Sequence, residues 1–396
     1  MHNEIRNELE NHIIPFWDSL IDRENGGFFS FVSHDLIIGE NTFRSCILHS
    51  RILWFYSNCY LVLKNPKYLE TAKHCYDFMI KFIDKESHGV FWSVNSRGVP
   101  ANPMKHVYNQ AFFVYALSSY YDASKDSTAL NNAMRVFETI EVETADEVAY
   151  RECFDRDWNL ADNDELSENG IQAEKTMNTV LHLIEAYTEL YRVGKNDDVL
   201  TRLQTLLGLM YNRIFDSNRN QLRVFFDSDM KEKGNVHSYG HDIEASWLIG
   251  RAIDVVGDAL SDVLVTALRD MNRKLVDKID SVAFCESGTG SMYYENVDGF
   301  LNRTRTWWVQ SEGVVGFLEA YRLYGEQKYL DRATQLWEYI KVRMIDSRPG
   351  GEWFNELDND HNPKPELPIA SEWKCPYHNG RMCLEVIKFF EEKEVS

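Results

Sequence analysis

Two histidines and a glutamate stand at helical spacing in the segment HSYGHDIEASWL, residues 237–248. On a helix, His237, His241 and Glu244 would share one face. Histidines four residues apart can bind a metal ion, and a histidine near a carboxylate can move a proton. Because His237 precedes the expected helix start, and the sequence has no HExxH motif, this segment favours proton transfer over a metal site.

Two more histidines lie where other helices are expected to begin. His378 lies in the expected first turn of the last helix, two residues after Pro376, and His182 follows Asn178 by four residues in TMNTVLHL. We expect Glu244 to raise the pKa of His241, since a nearby carboxylate favours the imidazolium. We expect the helix N-terminus to lower the pKa of His378, since it disfavours positive charge. Shifts of opposite sign would make the two residues an acid and a base.

Other polar and aromatic residues recur at the same place in the helical pattern. Arg51 either pairs with a neighbouring acid or stabilises negative charge on a substrate oxygen. The candidate substrate contacts are Tyr108, Asn178, Trp307, Trp308, Trp373 and Glu312. A glycoside hydrolase is an alternative, because Glu168, Glu244 and Glu312 could supply two carboxylates about 5 to 10 Å apart.

The elements that must position these residues are helices, whose periodicity dominates the chain. An aromatic-rich helix, a short polar turn and an amphipathic helix recur at intervals of about 60 to 70 residues, a pattern typical of helix-pair arrays. Helices over about 3–22 and 376–394 would form a sixth pair. We therefore predict an all-α fold, an (α/α)6 barrel of about twelve helices with hairpins at one rim, in a single domain over residues 1–396. An open α-solenoid is the alternative.

Composition limits the possible partners. The formal net charge is −20, which disfavours nucleic acid, and no apolar run is long enough to span a membrane. The 13% aromatic content suits a neutral sugar ligand. The seven cysteines include no CxxC pair, so we expect free thiols in the cytoplasm; they are residues 46, 59, 75, 153, 285, 375 and 383. The sequence fixes no oligomeric state, and a monomer is the simplest expectation.

Six motifs together resemble a known family: HIIPFWDSLIDRENGGFFSF, LHSRILWFYSN, EKTMNTVLHLIEAYTELY, VHSYGHDIEASWL, TRTWWVQSEGVVGF and WKCPYHNGRMCLEVI. In order and spacing, from the first helix to the last, they are similar to the N-acylglucosamine 2-epimerase superfamily. The GHDIEA and KCPYHNGR segments resemble its disaccharide members, the cellobiose 2-epimerases.

This resemblance implies an (α/α)6 barrel that reversibly epimerises C2 of the reducing-end glucose of β-1,4-linked disaccharides. Cellobiose would become glucosyl-mannose, and lactose would become epilactose, through ring opening and a cis-enediolate, with no metal or other cofactor. His378 and His241 match the family's base and proton donor, and His182 its third site histidine. Arg51 matches the arginine near the substrate oxygens, and Glu244 the carboxylate partnered with His241. The family's sugar contacts match Asn178, Tyr108, Trp308 and Trp373.

Three other functions stay open on the sequence. An aldose–ketose isomerase shares the enediolate but returns the proton to C1. An N-acylglucosamine 2-epimerase of the same superfamily would act on a monosaccharide. A sugar-binding protein without catalysis would bind the ligand and exchange no proton with solvent.

Overall fold

The computed structural model describes residues 1–40, 42–284, 288 and 290–395; Cys285 of the sequence analysis lies outside them. Within these residues twelve helices follow one another. Helix α1 has three consecutive parts, His2–Glu8, a π-helical turn Leu9–Ile13, and Ile14–Ser19. The others are α2 Cys46–Leu63, α3 Pro66–Met79, α4 Val107–Ser124, α5 Ser127–Glu143, α6 Met177–Gly194, α7 Asp197–Leu209, α8 Tyr239–Val256, α9 Asp262–Val282, α10 Trp307–Tyr324, α11 Gln327–Tyr339 and α12 His378–Val395.

The even-numbered helices form a closed inner ring. Each contacts the next, from α2 through α4, α6, α8 and α10 to α12, and α12 returns to α2. Each inner helix also packs against the outer helix that follows it, and α1 packs against α12 as the sixth pair. The predicted (α/α)6 barrel is therefore confirmed, and the open solenoid is wrong.

Sequence decides which helices lie inside. Inner helices such as α2 and α4 are buried around most of their circumference and carry apolar residues on every side. Outer helices such as α9 and α11 have one apolar stripe and an otherwise charged surface, the pattern of a helix that faces a core on one side and water on the other. No helix among the described residues has the length and apolar character needed to cross a bilayer.

Short strands cluster where the inner helices begin. The strands are β1 Arg44–Ser45, β2 Ser93–Val94, β3 Pro100–Asn102, β4 Lys105–His106, β5 Cys153–Phe154, β6 Lys175–Thr176, β7 Phe215–Asp216, β8 Gln221–Leu222, β9 Phe225–Phe226, β10 Glu232–Lys233, β11 Val236–Ser238, β12 Glu295–Val297, β13 Phe300–Asn302, β14 Arg305–Thr306 and β15 Glu356–Leu357. They pair antiparallel in the orders β1-β2-β3, β10-β9-β6, β11-β12-β13, β14-β15, β4-β5 and β7-β8. Strands β1, β4, β6, β11 and β14 lead directly into inner helices, so these sheets surround one mouth of the barrel.

Buried ion pairs fix several of these strands to the turns that follow outer helices. Arg44 of β1 bonds Asp22 at 3.0 Å, and Lys105 of β4 bonds Asp84 at 3.0 Å, with both cations fully buried. Breaking a buried pair by removing one partner costs about 3–5 kcal/mol. These two pairs therefore anchor the strands that lead into α2 and α4.

Some polar residues near the inner helix starts serve the scaffold. His49 accepts the backbone N–H of Phe28 at Nε2 and lies 2.8 Å from the Ser45 carbonyl at Nδ1. Asn109 donates to the Phe91 carbonyl at 3.1 Å. Both side chains thus tie rim segments to the barrel and are absent from the walls of the pocket described below.

Candidate active site

The mouth of the barrel contains a pocket of about 280 Å³. Its walls include ten of the eleven residues predicted from sequence: Arg51, Tyr108, Asn178, His182, His241, Glu244, Trp307, Trp308, Trp373 and His378. Five further residues complete the lining: Glu165, Leu166, Glu168, Tyr294 and Thr306. Residues separated by more than 300 positions in the chain therefore meet in one concave site, because the inner helices all begin at this end.

His378 is the first residue of α12, and its ring is held from behind. Its Nδ1 lies 2.7 Å from the Glu312 carboxylate. A carboxylate at this nitrogen favours the tautomer in which Nδ1–H donates and Nε2 faces the ligand. Glu312 is fully buried and also accepts the Trp247 indole N–H at 3.0 Å. Glu312 was predicted as a substrate contact. It lies instead beneath His378, outside the pocket walls.

His241 lies in the first turn of α8 and has a different partner from the one predicted. Its Nδ1 is 2.7 Å from the Ser238 hydroxyl. Glu244 extends toward α12 instead, where its carboxylate accepts from Arg381 at 2.5 Å. The carboxyl group one turn along the same helix is therefore bonded to Arg381 of α12 and is not the partner of His241.

Both histidines have lowered pKa values. Burial is the largest cause for His241, with His182 adding to it, and together they lower its pKa to about 3. Burial is also the main cause for His378, followed by the Arg381 guanidinium, and its pKa falls well below 6.5. The predicted rise for His241 is wrong, because its environment is dry and Glu244 is paired elsewhere. In the free protein near neutral pH, both rings are neutral.

The pKa of Glu244 is also shifted from its usual value. Burial and the neighbouring Glu312 raise its pKa to about 8, while Arg381 opposes the rise. The ligand atoms of Glu244, Glu312 and His378 lie within 4.8 Å of one another, a spacing that could suit a metal ion. Arg381 donates to both carboxylates, so a guanidinium already supplies positive charge at this point.

Arg51 presents its charge to the pocket. It donates to the Tyr108 hydroxyl at 2.9 Å, and its guanidinium lies 4.4 Å from the centre of the Phe112 ring. Among the described residues it forms no ion pair with a carboxylate, so of the two alternatives for Arg51 the pairing with a neighbouring acid is wrong. A buried arginine in an aromatic cage is a ready donor for anionic oxygen.

Indole rings also line the pocket. Trp308 lies 4.8 Å from His241 and 5.6 Å from His378 between ring centres, so one aromatic surface touches both imidazoles. Gly240 permits this position, since a Cβ there would come within 2.4 Å of the Trp308 ring. Trp373, in the loop before α12, packs 6.0 Å from Tyr108. Flat aromatic faces of this kind suit stacking against sugar rings.

The glycoside hydrolase alternative needs two carboxylates that face the bond to be cut. Glu312 lies behind His378, and Glu244 is tied to Arg381. Glu168 is exposed at the mouth, on the loop that follows β5. The three acids considered for that chemistry therefore do not form a facing pair.

The arrangement matches a known family over nearly the whole chain. The model of the N-acylglucosamine 2-epimerase (GlcNAc 2-epimerase) family matches residues 26–379. A protein of Ruminococcus albus named cellobiose 2-epimerase is 50% identical over 388 residues, which cover 98% of each chain. The chain belongs to the N-acylglucosamine 2-epimerase family.

Solved structures of the family agree with this fold. A sugar epimerase from a ruminal bacterium superposes with a TM-score of 0.95 at 49% identity and covers 98% of both chains. The cellobiose 2-epimerase of Bacillus thermoamylovorans gives a TM-score of 0.93 at 42% identity, again with 98% of both chains covered. The family assignment therefore rests on sequence and on fold together.

Sequence reasoning missed the buried layer under the pocket. Arg381 and Glu185 each follow a pocket histidine by three residues, and Glu185 accepts from His182 at 2.8 Å. That spacing was the available signal, because residues three apart share a helix face. Only the closed ring shows that Arg381 bonds Glu185, Glu244 and Glu312, which come from three other inner helices.

A second cavity of about 330 Å³ opens at the opposite mouth, beside α8, α10 and α12. Its charged groups neutralise one another: Arg251 bonds Glu189 at 2.5 Å, and Arg322 bonds Asp254 at 2.9 Å. Among the described residues, no histidine lines this second cavity. The histidine-lined mouth is thus the better candidate for chemistry.

Proposed function

We propose that this protein reversibly epimerises C2 of the reducing-end glucose of β-1,4-linked disaccharides, converting cellobiose to glucosyl-mannose and lactose to epilactose. One observation carries the proposal: His241 and His378 line a single pocket and contact the same indole, each with Nδ1 held by another side chain. The relatives named cellobiose 2-epimerase support the choice of substrate.

The reaction requires acid–base chemistry and a stable anion. The C2 proton becomes acidic only when C1 is a carbonyl, so the sugar ring opens first. A base then removes that proton and leaves a cis-enediolate. Protonation of C2 on the opposite face inverts its configuration. Acid–base assistance of this kind contributes about 10² to 10⁴ in rate.

We assign His378 as the base for glucose and His241 as the proton donor, with the roles exchanged in reverse. The lowered pKa of His378 keeps its ring neutral and able to accept a proton. His241 is also neutral in the free protein, and the negative charge that develops on the enediolate raises its pKa in the complex. His241 can then take a proton from solvent and deliver it to C2.

The remaining wall residues stabilise and orient the substrate. Arg51, which has no carboxylate partner among the described residues, can hold the enediolate oxygens together with His182. Trp308 and Trp373 offer aromatic faces to the two sugar rings. We further propose that residues 1–396 are one catalytic domain, since α1 packs against α12 and the ring needs both ends of the chain.

The test is incubation with cellobiose in deuterated water, with the products read by NMR. The proposal predicts deuterium at C2 and mannose configuration at the reducing end. A ketose product would make the protein an aldose–ketose isomerase, free glucose would make it a hydrolase, and absence of both exchange and product would leave a binding protein.

Matched variants extend this test. His378→Ala should nearly abolish turnover while the circular dichroism spectrum stays unchanged. His74→Ala is the control, because His74 is a half-buried histidine that bonds the Gly27 carbonyl away from the pocket. A His378→Ala protein that keeps most of its activity would remove the assignment.

A further inference from the structure

Arg381 is a fully buried arginine that the proposed reaction does not use directly. It lies on α12, one turn after His378, with its guanidinium 4.1 Å from the centre of the Tyr377 ring and 4.7 Å from that of Trp247. Three carboxylates and one hydroxyl receive its N–H groups. They are Glu185 at 2.5 Å, Glu244 at 2.5 Å, Glu312 at 2.7 Å and the Tyr377 hydroxyl.

Two of these carboxylates are the partners of pocket histidines. Glu185 holds Nδ1 of His182 at 2.8 Å, and Glu312 holds Nδ1 of His378 at 2.7 Å. Each of these carboxylates thus bonds both an imidazole and Arg381, on different oxygens in Glu185 and on the same oxygen in Glu312. A single guanidinium therefore joins the supports of two imidazoles that stand on different helices, α6 and α12.

We propose that Arg381 is a positioning residue that fixes His182 and His378 together in the form protonated at Nδ1, with Nε2 turned to the pocket. It does so by anchoring the two carboxylates that accept from those Nδ1–H groups. The kinetic part of this inference rests on the proposed epimerase function; the tautomer part does not.

The geometry explains why arginine is required. The guanidinium is planar and presents its donors in a fixed fork, so it can reach acids on opposite sides at once. A lysine ammonium gathers its three donors at a single atom on a flexible stem, so it cannot span the three acids as the two guanidinium nitrogens do and would leave at least one of them unbonded. The carboxylates released in this way would lose their alignment, and the imidazoles would turn with them.

The first experiment is 15N NMR of the histidine side chains in the full-length protein. In the wild type we expect His182 and His378 to show a protonated Nδ1 and a bare Nε2. In Arg381→Lys at least one of the two should lose this tautomer. Arg251→Lys is the control, since Arg251 also bonds a buried glutamate, Glu189, but at the opposite mouth.

The second experiment is the pH profile of kcat/KM for cellobiose. Arg381→Lys should lower kcat by about 10²-fold, the scale of a small misplacement of a catalytic group, with little change in KM. In Arg381→Met the acid limb should move to higher pH, because the cation that lowers the pKa of His378 is gone. Other titratable or charged groups face this cluster and remain in the variant: Arg51, Tyr108, His182, Glu185, His241, Glu244, Glu312, Cys375 and Tyr377.

The outcomes separate the two claims. If the wild type does not epimerise cellobiose but shows both Nδ1–H tautomers and loses one in Arg381→Lys, the proposed function falls and the positioning role stands. If the wild type epimerises cellobiose while Arg381→Lys keeps both tautomers and the kcat, and Arg381→Met keeps the acid limb, the positioning role is overturned. Wild-type spectra with Nε2–H tautomers for both histidines would overturn it without any variant.

Discussion

Replacing Glu312 with glutamine tests the layer beneath the pocket, because it changes charge without changing size. In the wild type one carboxylate oxygen accepts from both His378 and Arg381, and the other accepts from the Trp247 indole. A carboxylate can satisfy all three donors since both oxygens are acceptors. A glutamine has one acceptor oxygen and one NH2 group, so one side of this network must fail.

The structure indicates which side fails. With the amide oxygen toward Trp247, the NH2 group would face the Arg381 cation, a donor against a charged donor in a dry site. With the oxygen toward Arg381 and His378, only the Trp247 bond is lost. An unsatisfied buried donor costs about 1–3 kcal/mol, so the second orientation is preferred. His378 then keeps Nδ1–H but loses the anion that strengthens its basicity, and we expect kcat to fall by about 10²-fold.

The assay is the initial rate of cellobiose epimerisation together with thermal unfolding. Glu189→Gln is the matched control, since Glu189 is also buried and paired with two arginines, Arg192 and Arg251, at the far mouth. We expect Glu189→Gln to lower the melting temperature and to keep kcat. The reasoning is refuted if Glu312→Gln keeps wild-type kcat, or if both variants lose activity to the same extent.

Three more predictions follow from the pocket. Gly240→Ala should lower kcat/KM, because a Cβ within 2.4 Å of the Trp308 ring forces the indole away from both histidines. It should also lower the stability of the fold, since overpacking costs about 1–3 kcal/mol and the gain in helix propensity is about 1 kcal/mol. Steady-state kinetics and thermal melting of the variant check both effects. The acid limb of kcat/KM should lie below pH 6.5, since a base with a lowered pKa stays neutral at lower pH; a midpoint at or above 6.5 would contradict it. Glu165 and Glu168 line the pocket and form no ion pair among the described residues, so a disaccharide with a glucuronic acid at its non-reducing end should react more slowly than cellobiose. The double variant Glu165→Gln, Glu168→Gln should reduce this difference in rate. A double variant that discriminates as strongly as the wild type would contradict the prediction.

The ring of helices could be predicted because its signals are local. Apolar periodicity, polar turns and the repeat length all lie within segments of a few tens of residues, and they indicate six helix pairs. The same periodicity identified the inner helix starts, where Arg51, His182 and His241 line the pocket. Short-range pattern and a repeated topology were enough to collect these residues at one mouth.

The hydrogen-bond partners could not be predicted in the same way. Glu244 stands one turn from His241, yet it bonds Arg381, which is 137 positions away in sequence. Glu312 follows Trp308 of the pocket wall by one helical turn, yet its side chain bonds His378 from outside the pocket walls. In a closed ring each inner helix faces several others, so a buried carboxylate can bond a guanidinium on another helix instead of an imidazole on its own helix.

The central claim is that His378 and His241 act on opposite faces of one carbon atom. The direct test follows hydrogen exchange at C2 in deuterated water, with each epimer supplied separately to His241→Asn and His378→Asn. We expect the His241 variant to exchange the C2 proton of cellobiose without forming glucosyl-mannose, and the His378 variant to exchange that of glucosyl-mannose alone. If one variant exchanges both epimers and the other neither, a single histidine does all the proton transfer, and the two-sided account is wrong.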